Sequence, residues 1–394
     1  MGRDGRGAGQ LRNRSAHLDE DDVRVRAGKG SRPRTRRRPA HEGATEAFVV
    51  NVDRGRYGCL TVPAWSDDAD EGRAPGRSDA IIPPSSGGRM VTAMKARELG
   101  RNSVVVGDRV ALAGDTSGSA GSLARIVRVA ERTSVLRRSP DDSDPMERIV
   151  VANAQQMVIV CALADPEPKT RFVDRCLVAA YDAGLDALIV LTKNDLASPR
   201  KIRDFYRPLG VPMISTRQPV PAVTLSRLRN ALGGRISVLI GQSGVGKSTL
   251  VNTLIPDADR AVGHVNAVTG KGRHTSSSAV ALPLPAVRPG RPSGSGSASG
   301  SGAGAASASG AAAGEPAFSA GGWLIDTPGV RGFGLGHVTP DHIAEAFGDL
   351  ASGIADCPPG CDHLSGGCGL DAWAAANHAE ARLDSLRRLL TAIK

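Results

Sequence analysis

The sequence predicts a chain of three folded parts: a small β-barrel or sandwich, an α/β domain on a parallel sheet, and a C-terminal α-helical module with a metal site. Three observations carry that prediction. Short apolar alternations separated by Gly-, Pro- and Asp-rich turns begin at Phe48. Longer apolar runs alternating with helically spaced segments begin at Met157. Three cysteines and a histidine cluster near the C-terminus. The length of 394 residues suits roughly two or three domains.

Composition narrows the class. Apolar residues at 40% allow a real core, and aromatics at 3% make it aliphatic. Gly 48 and Pro 25 exceed ordinary usage and point to linkers. No run approaches the ~18 apolar residues of a membrane span, and the N-terminus has no apolar stretch of the signal-peptide kind. The expectation is a cytoplasmic protein with no membrane partner. The net charge of +10 is uneven: residues 1–40 hold twelve basic and five acidic side chains, a net +7. Residues 1–43 therefore read as a disordered basic tail suited to a polyanion.

The elements follow in order. FVVNV, GCLTV, VVVGDRVAL and LARIVRVAER are short strands, and 67–78 is a loop between them. MVIVCAL has the length of a buried strand; 172–183 has helical spacing; 187–191 is a second strand. A helix over 202–209, a short strand over 211–214, a helix over 223–232 and a strand over 236–240 follow, then a Gly-rich turn opening a helix at Lys247. Two further strands, 279–284 and 323–325, flank a Gly/Ser/Ala insertion at 287–321 that has too few apolar residues to pack. Residues 372–393 read as one amphipathic helix. The domains are then 44–149 (barrel), 150–337 (α/β) and 338–394 (metal-binding).

Gly241-Gln242-Ser243-Gly244-Val245-Gly246-Lys247-Ser248-Thr249 matches G-x-x-x-x-G-K-[ST] between a strand and a helix. Its backbone N–H groups would wrap a phosphate chain, Lys247 would reach the β and γ phosphates, and Ser248 would give a hydroxyl to Mg²⁺. Asp326-Thr327-Pro328-Gly329 ends a strand, where Asp326 suits a Mg²⁺-linked role and Gly329 lets an N–H approach the γ phosphate. Thr192-Lys193-Asn194-Asp195 ends another strand. Guanine presents N1–H and the N2 amine side by side, and one carboxylate, Asp195, can accept both; adenine offers no such pair. Lys193 would lay its aliphatic stem over the purine. The base-reading motif precedes the phosphate loop, the reverse of most GTPases, and circular permutation explains the order.

These motifs, with Ala152-Asn153, Asp174-Arg175-Cys176-Leu177, Gly272-Arg273-His274-Thr275, D-T-P-G-V and the Cys/His cluster, resemble the RsgA (YjeQ) family of circularly permuted GTPases that depend on the small ribosomal subunit. The resemblance runs from about residue 48 to the C-terminus. It implies an OB-fold barrel that binds RNA, a permuted GTPase domain and a zinc module. It also implies hydrolysis of GTP to GDP during late maturation of the small subunit, with rRNA and that subunit as partners. Thr275 would reach Mg²⁺ and the γ phosphate. Val330 stands where many GTPases keep a water-orienting Gln, so hydrolysis is expected to be slow unaided; His274 is the candidate to position water. Ser215 stands in the segment that supports guanine in other GTPases.

Cys357, Cys361, His363 and Cys368 read C-x3-C-x-H-x4-C, a complete set for one structural Zn²⁺. His378 reads as a surface histidine. Arg125, Arg128, Arg132, Arg137 and Arg138, in or after the last barrel strand, are candidate contacts to rRNA phosphates. A monomer is expected. Two rival readings stand beside this one: a P-loop ATPase or kinase unrelated to ribosomes, and an RNA-binding module with a vestigial nucleotide site.

Overall fold

The computed structural model describes residues 41, 43–62, 88–99, 104–138, 148–256, 258, 279–285, 321–327, 333, 335–336, 338–364 and 366–393. The basic tail, the loop at 67–78, Gly272-Arg273-His274-Thr275, Pro328-Gly329-Val330 and the Gly/Ser/Ala insertion up to residue 320 lie outside them.

Five strands, β1 (Thr45–Asp53), β2 (Arg56–Thr61), β3 (Met90–Lys95), β4 (Arg109–Gly114) and β5 (Ala124–Val129), close into a barrel in the order β1-β2-β3-β5-β4, with β4 returning to β1. Closure removes open edges. The interior is small and aliphatic, as the composition requires: Ala47, Val49, Cys59, Val91, Leu112 and Ile126 are almost wholly buried. Strand β3 was not foreseen, because R-M-V-T-A-M-K alternates weakly and is identified by its pairing with β2 and β5 rather than by its pattern.

Strand β1 serves two cores at once. Ala47 and Val49 point into the barrel, while Phe48 and Val50 point the other way, into the main core. There the Phe48 ring meets the Trp323 ring at a centroid distance of 5.1 Å.

A hairpin of β6 (Val135–Arg138) and β7 (Arg148–Ala152) joins the barrel to the main sheet. Three polar devices hold this junction. Asp108, fully buried, accepts from Arg132 Nε and Nη2 at 2.7 and 2.8 Å and from the Val105 N–H at 2.8 Å. The amide of Asn153 donates to the Gly107 carbonyl at 2.8 Å and accepts from the Thr133 N–H at 2.9 Å. Gly107 is at φ +95°, and a Cβ there would stand 2.0 Å from the Ala152 carbonyl oxygen, so only glycine fits the approach.

The main sheet comprises β8 (Gln156–Ala162), β9 (Asp186–Thr192), β10 (Met213–Ser215), β11 (Ile236–Gly241), β12 (Val280–Pro283) and β13 (Trp323–Asp326), in the order β10-β9-β8-β11-β13-β12. All neighbours are parallel except β12, which runs antiparallel to β13 and touches β1 at Asn51↔Val280. Strand β8 is buried along its whole length, which is why it reads as a continuous apolar run. The chain leaves β8 toward β9 and β10 and then returns to β11 on its other side. The β8/β11 junction is therefore the switch point of the sheet, the place where doubly wound folds open a crevice at their strand ends. The helices are α1 (Thr170–Asp182), α2 (Arg200–Tyr206), α3 (Ala222–Leu232) and α4 (Lys247–Leu254).

The C-terminal part is helical: α5 (Pro340–Glu345), α6 (Ala351–Ala355), α7 (Gly369–Asn377) and α8 (Glu380–Ile393). The single helix expected over 372–393 is in fact two. His378 takes a left-handed conformation (φ 51°) and the Ala379 N–H returns to the Ala374 carbonyl at 2.9 Å, which ends α7. The break lets α7 bury Leu370 and Ala374 while α8 buries Leu383, Leu386, Leu389 and Leu390 in a different direction. Helix α8 lies along α1, joined by Arg388 Nε to the buried Asp174 carboxylate at 3.3 Å. The Arg388 guanidinium also stacks 4.1 Å from the Phe205 ring centroid. Among the described residues no helix is long and apolar enough to cross a membrane.

Replacing Asp108 by alanine leaves the Arg132 guanidinium and the Val105 N–H without their acceptor. The expected loss is about 3–5 kcal/mol of unfolding free energy, read by urea denaturation.

Candidate functional site

The carboxyl ends of β8, β9, β11 and β13 emerge together, because parallel register aligns Gly241 with Val160, Thr192 with Ala162 and Leu239 with Asp326. The base-reading stretch and the phosphate loop, far apart in sequence and in reversed order, meet there. The buried Thr192 hydroxyl donates to the Val245 carbonyl at 2.7 Å. A cavity of about 260 Å³ opens beside that bond, with Thr192, Lys193, Asp195, Thr216, Gly246 and Thr249 among its lining residues.

Lys193, at φ 57°, turns the chain sharply after β9, and its ammonium donates to the Asp165 carbonyl oxygen beyond β8. The Asn194 N–H donates to the Thr216 carbonyl at 3.1 Å, and the Thr216 N–H to the Leu191 carbonyl at 2.8 Å. The two loops thus brace each other, and Asp195 is left exposed at the cavity. Thr216, Arg217 and Gln218 line the cavity, whereas Ser215 does not; its hydroxyl accepts from Arg203 at 3.0 Å. Asp165 and Thr216 were given no role in the sequence, since each acts through the backbone, although Thr216 follows Ser215 in the segment that supports guanine in other GTPases.

In the phosphate loop Gly246 is at φ +92° and stands as the N-cap of α4, where a side chain would be strained. Val245 is buried, while Ser243, Gly244, Ser248 and Thr249 are exposed. Lys247 donates to the Gly241 and Gln242 carbonyls at 2.5 and 3.0 Å. Burial pulls its pKa below the ordinary lysine value, and Asp326 opposes that shift. Asp326 is the counterpart: burial raises its pKa and the Lys247 charge resists. One oxygen of Asp326, Oδ1, is buried without a hydrogen-bond partner among the described residues. A desolvated carboxylate with a spare acceptor beside the phosphate loop fits a hydrated Mg²⁺. Next to it the Thr327 hydroxyl donates to the Leu239 carbonyl at 2.9 Å, tying the motif back to β11. Thr275, His274 and Gly329, three of the catalytic candidates, lie outside the described residues.

The Cys/His cluster is a second site. The ligand atoms of Cys357, Cys361, His363 and Cys368 all lie within 4.8 Å of one another. Cys357 Sγ is 3.5 Å from both His363 Nδ1 and Cys368 Sγ, and Cys368 Sγ is 3.6 Å from His363 Nδ1. A tetrahedron around zinc has S–S and S–N edges of about 3.8 and 3.6 Å, so the donor set fits that ion. His363 is held at φ 58°, and its carbonyl accepts from Arg387 Nε at 3.0 Å, which ties the backbone of that loop to α8. Burial pushes the Cys368 thiol up to about 12, a cost that a bound cation reverses by holding the thiolate. His378 is exposed at the α7–α8 break and takes no part.

A family model described as RsgA GTPase matches residues 129–288. The small ribosomal subunit biogenesis GTPase RsgA of Pseudomonas fluorescens is 32% identical over 299 residues, covering 74% of this chain and 75% of that protein. The chain belongs to the RsgA GTPase family. The protein of the same name from Pseudomonas syringae pv. tomato is 34% identical over 280 residues, covering 67% of this chain and 69% of the relative. Against the Pseudomonas aeruginosa RsgA proteins, 33% identical over 260 residues, the chain spans 64% of their length. Two solved structures share the fold. YjeQ from Thermotoga maritima has a TM-score of 0.53 at 21% identity, covering 89% of this chain and 98% of its own. YloQ, described as a circularly permuted GTPase, has a TM-score of 0.54 at 18% identity, covering 91% and 97%. The closed barrel, permuted sheet and helical Cys/His module are thus the RsgA-type architecture.

One zinc per chain is the expected content by atomic absorption. Cys368→Ser is expected to abolish stoichiometric zinc and lower the melting temperature, while guanine nucleotide binding survives in the folded fraction.

Proposed function

We propose that the chain is a GTP hydrolase that binds the small ribosomal subunit during its late maturation, with the nucleotide state controlling association and release. The observation that carries the reading is the Thr192–Val245 hydrogen bond of 2.7 Å, which supports a single pocket made from the guanine motif and the phosphate loop. The names carried by the Pseudomonas relatives supply the ribosomal context.

In this reading the Asp195 carboxylate accepts from guanine N1–H and N2, and the Lys193 stem lies along the purine while its ammonium stays on the Asp165 carbonyl. Thr192 and Asn194 keep that loop in place, the first through its hydroxyl and the second through its N–H. The backbone of Gly241, Gln242, Ser243, Gly244, Val245 and Gly246 cradles the phosphates, and Lys247 trades its two carbonyl partners for phosphate oxygens. Ser248 and Asp326 would hold Mg²⁺, with Thr249 beside Ser248 on the first turn of α4. Mg²⁺, when bound, supplies charge neutralisation of the phosphates. Thr275, His274 and Gly329 complete the γ-phosphate side. With an apolar Val330 in place of a glutamine, His274 is assigned the positioning of water, and hydrolysis is slow until the ribosomal subunit completes the site.

The barrel faces rRNA, consistent with exposed Arg125 and Arg128 on β5. Arg132 does not belong with them, because its guanidinium is spent on Asp108 inside the junction. Arg137 and Arg138 sit on β6, beyond the barrel. The basic tail adds salt-dependent affinity. We place the domains at 44–149, 150–337 and 338–394, the ion in the last as one structural zinc, and the protein in the cytoplasm as a monomer.

Competition among GTP, ATP and XTP, with and without small ribosomal subunits, tests the reading. GTP is expected to bind in preference to ATP, and turnover is expected to rise with subunits. Asp195→Asn is expected to move preference toward XTP by on the order of 10²-fold or more, since the amide NH₂ would face the guanine N2 amine donor to donor, whereas xanthine presents a carbonyl oxygen there and keeps N1–H for the amide oxygen. Equal use of ATP would sink the proposal. His274→Ala is expected to keep GTP affinity and to lose most of the subunit-stimulated turnover; normal turnover would remove His274 from the mechanism.

A further inference from the structure

Arg175 on α1 belongs to neither site, yet it touches the chain that leaves one of them and the helix that backs the other. Its Nε and Nη2 donate to the Phe333 carbonyl oxygen at 3.1 and 2.5 Å, and its Nη1 donates to the Ala392 carbonyl oxygen at 3.0 Å. Phe333 lies just downstream of the D-T-P-G motif, with its ring almost wholly buried, and the start of that motif is fixed to β11 by Thr327. Ala392 lies in the last turn of α8, where carbonyls lack intrahelical partners, so the guanidinium fills a vacant acceptor. Charge-assisted bonds from a half-buried guanidinium are strong and geometrically demanding. A shift of the Phe333 backbone must either lengthen these bonds or carry α8 with it. Helix α8 also carries Arg387, which holds the carbonyl of the metal-ligating His363.

We propose that Arg175 is a positioning residue that couples the γ-phosphate side of the nucleotide cleft to the C-terminal metal-binding module. The coupling rests on the guanine-nucleotide reading above. It is reciprocal by linkage: a partner that immobilises α8 changes nucleotide affinity by the same factor that nucleotide changes the docking of α8. Arg388 provides an internal contrast, since it holds α8 to Asp174 and Phe205 and has no bond to Phe333.

Amide hydrogen exchange across α8 tests this in the zinc-replete full chain, with GDP against a non-hydrolysable GTP analogue. In the unaltered protein the two nucleotides are expected to give α8 exchange rates differing about fivefold or more. Arg175→Met is expected to bind both nucleotides yet shrink that ratio below about twofold. Arg175→Lys, which keeps the charge without the fork, serves if the methionine variant folds poorly, and the same collapse is expected. Arg388→Met is expected to speed exchange in both states and keep the ratio. A ratio that persists in both Arg175 variants overturns the proposal, as does an unaltered protein that binds both nucleotides with equal exchange in α8. Failure of the unaltered protein to bind guanine nucleotides would overturn the functional reading itself, and the coupling with it.

Discussion

A parallel sheet must release all its strands at one edge, and everything chemical in this chain follows from that constraint. Once β8, β9, β11 and β13 share register, Thr192, Gly241 and Asp326 have to arrive side by side whatever their order in the chain. The Thr192 hydroxyl on the Val245 carbonyl then converts proximity into a fixed geometry. Circular permutation is harmless for the same reason. Moving the chain ends alters which loop comes first and leaves the edge of the sheet, where the loops meet, unchanged.

The electrostatics of the cleft are those of a site built at some cost to the protein itself. Lys247 and Asp326 are both desolvated: burial lowers the lysine pKa and raises the aspartate pKa, and each charge partly opposes the shift of the other. The unpartnered Asp326 oxygen beside them is the kind of local deficit that folded proteins keep where a ligand will relieve it. The Cys/His cluster follows the same logic: four donor groups lie within 4.8 Å of one another, Cys368 and His363 among them buried, an arrangement that a bound cation would relieve.

Several residues that carried the family resemblance turn out to be mechanical. Asn153 ties the barrel loop to the start of the sheet through Gly107 and Thr133. Asp174 and Arg175 bind the C-terminal helix instead of nucleotide. Their motifs are therefore signatures of how the three parts are joined. Arg132 makes the converse point: it looks like a free basic residue in the sequence and is an internal strut in the fold.

The strands of the main sheet were legible because a strand buried on both faces must be apolar along its length, as Gln156–Ala162 is almost throughout. The G-x-x-x-x-G-K-S motif and the Cys/His cluster could be picked out because such residue types at short, fixed spacing stand out in a sequence. Tertiary structure alone decided the rest. Met90–Lys95 is a strand by virtue of its neighbours; His378 breaks a helix because two apolar faces must point to different partners; Thr216 and Asp165 brace the loop after β9 through backbone atoms that every residue possesses. Side-chain chemistry is written locally and can be read in order. Contacts made by main chain, or chosen by what lies opposite in the fold, leave no local mark and exist only once the chain has closed on itself.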